Sequence, residues 1–409
     1  MAIEQSQLQA VSPSNSQPPS CPSCASTALT PFYTVSDVPV HSCLLMDTHR
    51  QALDLPRGDV DLALCRQCGF ITNTAYQQAH RAYDCTYEET QGFSAVFNEF
   101  QSDLAQRLIE RYSIRKRTIV EIGCGKGDFL SLLCRLGDNH GVGIDPACVP
   151  ERLAQDVASR ITVLKEYYSP SHASIPADVI VCRHTLEHIA DTGKFLRLMR
   201  KATAHRSDTL LFFEVPDTLR ILREAAFWDV YYEHCSYFTP GSLAKLFRAN
   251  GFTIEDIWLD YDDQYILLAA RPMEGHGQPQ EHAAEDLPSV QETVGAFTER
   301  TTRAIENWQA RLSDWSDRKQ RTIIWGSGSK GVAFLTTLGA DAAVAYAVDI
   351  NPYRQGKFMP GGGQPIVSPK ELVKSPPDHV IVMNPIYQRE IITSLDALGL
   401  KPEVLTVLS

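Results

Sequence analysis

The stretch Thr118–Pro146, TIVEIGCGKGDFLSLLCRLGDNHGVGIDP, decides the fold of this 409-residue chain. Ile119, Val120 and Ile122 form an apolar, mostly β-branched run that reads as a buried parallel strand. Gly123, Gly125 and Gly127 then supply a turn that passes close to a ligand without Cβ clashes. Phe129, Leu130, Leu132, Leu133 and Leu136 recur at helical spacing, so a helix follows and packs back on the sheet with its amino terminus toward the ligand. Val142–Asp145 closes the unit as a second strand ending in an acid. This is a nucleotide-binding βαβ unit, and the fold class it predicts is α/β.

The spacing of the glycines selects the nucleotide. A dinucleotide fingerprint places its third glycine three residues after the second, whereas here Gly123-Cys124-Gly125-Lys126-Gly127 follows Glu121 in an E-x-G-x-G-x-G pattern. That pattern resembles motif I of the class I S-adenosylmethionine (SAM) dependent methyltransferases. The resemblance implies that Glu121, Gly123 and Gly125 belong to the cofactor site, with the glycine backbone along the aminoacyl part of SAM. It also implies that Asp145 holds both ribose hydroxyls.

Length and composition bound the rest. A chain of 409 residues exceeds one ordinary core, so two or three domains are expected. Hydrophobic content of 44% and charged content of 21% are those of a soluble globular protein. No apolar run reaches the ~20 residues that span a bilayer, and no basic segment precedes a hydrophobic one at the amino terminus, so a cytoplasmic location without membrane contact is expected. A net charge of −11 without a long basic run argues for a small-molecule substrate over nucleic acid. The expected oligomeric state is monomer or homodimer.

In chain order, residues 1–20 are rich in Ser, Gln and Pro and predict a disordered tail. Cys21-Pro22-Ser23-Cys24 and Cys65-Arg66-Gln67-Cys68 are two C-x-x-C knuckles, separated by a stretch that reads as loop-rich. Cys21, Cys24, Cys65 and Cys68 together complete a closed tetrahedral Zn²⁺ site, structural because four thiolates leave no place for water. The zinc module is expected over 21–90, small and without a core of its own. A helix is expected from about 93 to 112, with Phe97, Phe100, Leu104 and Leu108 on one face.

Strands are expected over 161–164, 178–182 and 210–215, with a hairpin over 258–270, completing a domain over 91–271. His184 and Glu187 follow the second of these strands, on the edge where open α/β sheets bind ligands; a helix start explains Glu187 equally well. Tyr231, Glu233 and His234 lie in an aromatic stretch from Phe227 to Phe238, whose proton-transfer groups mark a candidate reaction centre. Aromatic packing is the competing explanation.

Residues 272–288 read as a linker and 289–318 as a long amphipathic helix. Thr322–Trp325, the G-x-G-x-x-G turn Gly326–Gly331 and Val344–Val348 ending in Asp349 open a second βαβ unit within a domain over 289–409. A lone fingerprint does not choose between NAD, a sugar nucleotide and mere close packing.

Taken in order, these pieces resemble the three-domain sugar C-methyltransferases. These have an N-terminal zinc-binding module, a class I methyltransferase domain and a C-terminal Rossmann-like domain, and they act on nucleotide-linked keto-deoxysugars. The resemblance covers nearly everything after residue 20. In that family a Y-H-E-H segment carries the catalytic base; here it reads Tyr231-Tyr232-Glu233-His234, with Tyr232 the departure. The resemblance implies SAM and structural Zn²⁺ as cofactors and a nucleotide sugar as substrate. It gives His234 as the base, with Glu233 orienting its ring or polarising a neighbour and Tyr231 donating to the enolate oxygen, and His184 near the cofactor. The alternatives are O- or N-methyl transfer, an NAD oxidoreductase and a non-catalytic zinc-stabilised nucleotide-binding protein.

Overall fold

The computed structural model describes residues 19–80, 83–204, 206–273, 287–339 and 343–409. The tail expected over 1–20 and the linker expected over 272–288 lie almost wholly outside the described residues.

Strands Leu29–Pro39 (β1), Arg57–Cys65 (β2) and Ile71–Asn73 (β3) form an antiparallel meander. In the central domain, Thr118–Ile122 (β4), His140–Ile144 (β5), Ile161–Leu164 (β6), Val179–Arg183 (β7) and Leu210–Pro216 (β8) run parallel. The short strand Ser236–Tyr237 (β9) then returns to the first sheet, which has the order β1-β2-β3-β9. Phe252–Asp260 (β10) and Tyr265–Pro272 (β11) form a hairpin whose β11 pairs antiparallel with β8. The seven-stranded central sheet therefore reads β10-β11-β8-β7-β4-β5-β6. Strand order reverses at β4, and the loops that diverge there open a crevice at the carboxyl edge.

Thr322–Trp325 (β12), Val344–Val348 (β13), Ile366–Val367 (β14), His379–Val382 (β15) and Glu403–Thr406 (β16) make a parallel five-stranded sheet in the order β14-β13-β12-β15-β16. Its order reverses at β12 in the same way. A Cβ on Gly331 would stand 2.5 Å from the Gly326 carbonyl oxygen, so the third glycine of this turn is required by close packing of helix on strand.

The helix Ala95–Tyr112 buries Phe97, Phe100, Leu104 and Leu108, as its spacing predicts. It starts where the Ser94 hydroxyl accepts the Phe97 N–H. The helix Leu287–Asp317 turns Phe297, Trp308 and Leu312 inward.

One expectation is overturned. The stretch between the cysteine knuckles is a sheet, and its inward side chains share a core with the rest of the chain. Tyr33, Val60 and Leu62 pack in one cluster with Phe227, Tyr237, Phe297, Trp308 and Phe334. Tyr33 and Phe297 meet edge to face, with centroids 5.0 Å apart. Irregular register at Pro31/Tyr33 and Val35/Val38 breaks the alternation by which β1 would have been read. Among the described residues, no helix is long and apolar enough to cross a membrane.

Candidate active site

Loops leaving the carboxyl ends of β4, β5 and β7 line a cavity of about 980 Å³. Cys43, Tyr83 and Tyr87 close it from the N-terminal side, and Ser329, Lys330 and Asn351 from the C-terminal sheet. Three parts of the chain thus meet at one crevice.

The first glycine turn forms its floor. Gly123, Gly125 and Gly127 have φ of +70°, +52° and +82°, a region where side chains are strained. Asp145 caps the turn: Oδ2 accepts the Gly125 N–H at 2.9 Å and Oδ1 the Ala147 N–H at 2.7 Å. A carboxylate oxygen accepts more than one hydrogen bond, so both retain capacity for a ribose hydroxyl. The same device recurs at the second turn, where Asp349 Oδ2 accepts the Ser327 N–H at 3.0 Å.

Glu121 lies beneath the first turn, and burial pushes its carboxyl up to about 8 although Arg183 works the other way. Glu89 reaches the turn from the N-terminal side, pushed up to about 7 by burial against the pull of Lys126. Glu121 Oε2 and Glu89 Oε2 are buried without a hydrogen-bond partner among the described residues. Two such oxygens beside a glycine turn suit a cationic cofactor, and SAM carries both a sulfonium and an ammonium. Gly123, Gly125 and Asp145 would hold it, since the Asp145 carboxylate and the glycine turn face the same cavity.

His184 stands on the cavity wall in a left-handed conformation, φ +47°, with its ring 4.5 Å from that of Tyr265. Its Nε2 lies 2.7 Å from Glu214 Oε1, and Arg183 grips the same carboxylate at 2.9 and 3.0 Å. Burial disfavours the imidazolium, but Glu214 and Glu187 outweigh it and raise His184 to about 9. Its charge is neutralised within the protein.

Tyr231, His234 and His188 line the same cavity. The Tyr231 hydroxyl is 3.0 Å from His234 Nε2, and the rings of His188 and His234 are 4.9 Å apart. Burial, then the neighbouring His188 and His184, hold His234 well below the usual imidazole range, so it stands neutral. His188 Nδ1 lies 3.0 Å from the Glu233 carbonyl oxygen and 3.1 Å from the Tyr83 hydroxyl; in the neutral tautomer that donates from Nδ1 to the carbonyl, Nε2 carries the lone pair. His188 was not singled out by sequence reasoning; its signal was its place just beyond the end of β7.

Glu233 departs from its expected place beside the His234 ring. It is buried behind the wall, where one oxygen lies 3.1 Å from His41 Nδ1 and the other accepts the Ser42 N–H at 2.8 Å and the Ser42 hydroxyl. Burial works against its charge, but His41, His188 and Ser42 more than offset this and hold its pKa low. Consecutive residues of the loop point to opposite sides, and the carboxylate turns to where donors are. Glu233 positions the loop; it does not touch the cavity.

The loop that carries Tyr231 and His234 is anchored by the first sheet. The Asn73 N–H and the Thr72 hydroxyl both donate to the Cys235 carbonyl at 3.0 Å, and β9 pairs with β3. At the turn between β2 and β3 the knuckles meet: Cys21 Sγ is 3.6 Å from Cys68 Sγ, and Cys24 Sγ 3.6 Å from Cys65 Sγ. All four sulfurs lie within 4.8 Å of one another. Zn–S bonds of ~2.3 Å in a tetrahedron need S–S edges of about this length, so the four thiols fit one Zn²⁺.

Residues 97–257 match the family described as a methyltransferase domain, and residues 280–401 match that described as a C-methyltransferase C-terminal domain. The chain is a SAM-dependent methyltransferase whose C-terminal part matches the C-methyltransferase C-terminal domain. This methyltransferase is 25% identical over 350 residues to C-methyltransferase NovU of Streptomyces niveus, covering 81% of the chain and 82% of that protein. It is 29% identical over 158 residues to a ubiquinone biosynthesis O-methyltransferase of Methylobacterium sp. (strain 4-46), covering 34% of the chain and 61% of that protein. Among solved structures, N,N-8-amino-8-demethyl-D-riboflavin dimethyltransferase of Streptomyces davawensis matches with a TM-score of 0.34 at 19% identity, over 43% of this chain and 56% of that one. The methyltransferase thus spans little more than half of that structure.

Asp145→Ala in this methyltransferase is expected to weaken SAM binding by about 1.5 to 3 kcal/mol, because a charged acceptor and the cap of the glycine turn are lost together. Calorimetry showing unchanged affinity would remove Asp145 from the site.

Proposed function

We propose that this methyltransferase methylates a carbon α to a ketone on a nucleotide-linked keto-deoxysugar. The observation that carries the reading is the continuity of the cavity. It runs from the first glycine turn, past His188, Tyr231 and His234, to the second turn at Gly326–Gly331. One elongated substrate fits it, with the reacting carbon at the imidazoles and the nucleotide toward the second turn.

Bound SAM supplies the electrophilic methyl. The chain's own task is to make a carbon nucleophile: His234, neutral and buried, accepts the α proton, while Tyr231, whose hydroxyl lies 3.0 Å from His234 Nε2, donates to the oxygen on which charge develops. Tyr76, Gln78, Gln91, Asn351 and Asn384 add polar groups to the same lining, as a sugar and its carrier require. Lys330 is committed to Asp229, which Arg220 also grips at 2.6 Å, so at the second turn the phosphates meet backbone N–H groups and Ser329 instead of a free lysine. The C-methyltransferase C-terminal domain favours carbon over oxygen or nitrogen as acceptor. The site of the four thiols is assigned to structural Zn²⁺.

Thermal shifts test the substrate class. SAM, S-adenosylhomocysteine and nucleotide keto-sugars are expected to raise the melting temperature, and NAD to leave it unchanged. Saturable NAD binding without response to any nucleotide sugar would reverse the reading of the second turn.

A further inference from the structure

We propose that Glu89 takes the α-ammonium of SAM's methionine moiety, which makes a residue outside the methyltransferase core part of the cofactor site. The inference rests on SAM dependence alone and not on the acceptor.

The segment carrying Glu89 is fixed by the two residues before it. The Lys126 ammonium, buried within the glycine turn, donates to the Tyr87 carbonyl at 2.6 Å and to the Ala147 carbonyl at 2.8 Å. The next residue, Glu88, is paired with Arg152 at 2.6 Å and accepts from the Asn351 amide at 2.9 Å. Glu89, directly after these two anchored residues, keeps its side chain about one-third exposed, at 32%, and it lines the cavity. A side chain on Gly125 would run into its carboxylate, so Glu89 lies directly over the turn.

That carboxylate is short of donors. Lys126 Nζ is 3.6 Å away, beyond hydrogen-bond reach, and gives its protons to the two carbonyls instead. The other charged groups facing Glu89 are Asp145 and Glu88, both acids. A partly buried carboxylate beside two acids needs a cation that also donates hydrogen bonds. The sulfonium of SAM has no N–H, and the ribose already has Asp145. The ammonium, with three donors, meets the requirement.

Calorimetry of Glu89→Gln without acceptor tests this with three ligands: SAM, S-adenosylhomocysteine, and 5′-methylthioadenosine, which lacks the amino-acid end. SAM and S-adenosylhomocysteine are expected to weaken together, roughly tenfold to a hundredfold. Methylthioadenosine is expected to bind as to wild type, which also shows that the variant is folded. Glu89→Asp, which keeps the charge, should lose less than Glu89→Gln. Equal weakening of all three ligands, or weakening of SAM alone, would overturn the assignment, the first pointing to the ribose and the second to the sulfonium. Wild-type chain without affinity for SAM would overturn it together with the methyltransferase reading, whereas tight wild-type binding and an indifferent Glu89→Gln overturns Glu89 alone.

Discussion

Cys21→Ser is expected to release one equivalent of zinc and to lower the melting temperature of the whole chain, not of a detached module. The four sulfurs lie within 4.8 Å of one another, and removing one ligand leaves three thiolates that no longer neutralise and enclose the ion. Isolated zinc-finger peptides owe on the order of 10–16 kcal/mol to their metal. Here the loss is smaller, several kcal/mol on the same scale, because β1 and β2 also bury Tyr33, Val60 and Leu62 against Phe297 and its neighbours. The effect reaches the active site through a short path. Phe70, between the second knuckle and β3, packs on Phe238 with centroids 5.3 Å apart, and β3 holds the Cys235 carbonyl one residue after His234. Methyl transfer should therefore fall further than SAM affinity does, since the glycine turn is carried by β4 and β5 instead. Metal analysis and thermal denaturation check the first claim. Unchanged zinc content with an unchanged melting curve would remove the metal from the account.

Local pattern made the two βαβ units legible. The expected strands Thr322–Trp325 and Val344–Val348 coincide with β12 and β13 as observed. β12 is a short apolar run that feeds the glycine turn, and β13 is one that leads directly into Asp349. The first sheet lacked that advantage. Its Tyr33 is buried by Phe297, far along the chain, and nothing in the residues from 29 to 39 announces so distant a partner. The site divides the same way. Gly123, Gly125 and Asp145 belong to one contiguous motif, and their mutual contact follows from its turn geometry. Glu233 was misplaced because the groups that claim it, His41 and Ser42, are about 190 positions away in sequence. His188 was passed over because a histidine closing a short helical turn looks ordinary until its ring is seen against that of His234.

His234→Ala is expected to retain SAM binding while methyl transfer falls by about 10²- to 10⁴-fold, the usual worth of a positioned general base. The same variant should lose exchange of the substrate's α proton with deuterated solvent. That readout isolates proton removal from every later step. Because burial and the His188 imidazole hold His234 well below the ordinary value of ~6.5, the acid limb of the wild-type profile should have its midpoint below that value. The sign follows directly: protonation at low pH removes the base, so activity rises with pH through that midpoint and is flat above it. Tyr231→Phe removes the hydroxyl 3.0 Å from the ring and should slow transfer while leaving the exchange reaction measurable. His188 supplies the competing assignment, since its ring lies 4.9 Å from that of His234 on the same cavity and its Nδ1 is 3.0 Å from the Glu233 carbonyl. If His234→Ala exchanges the α proton at the wild-type rate and His188→Ala does not, the base is His188, and His234 acts only by shaping the wall on which the ketone rests.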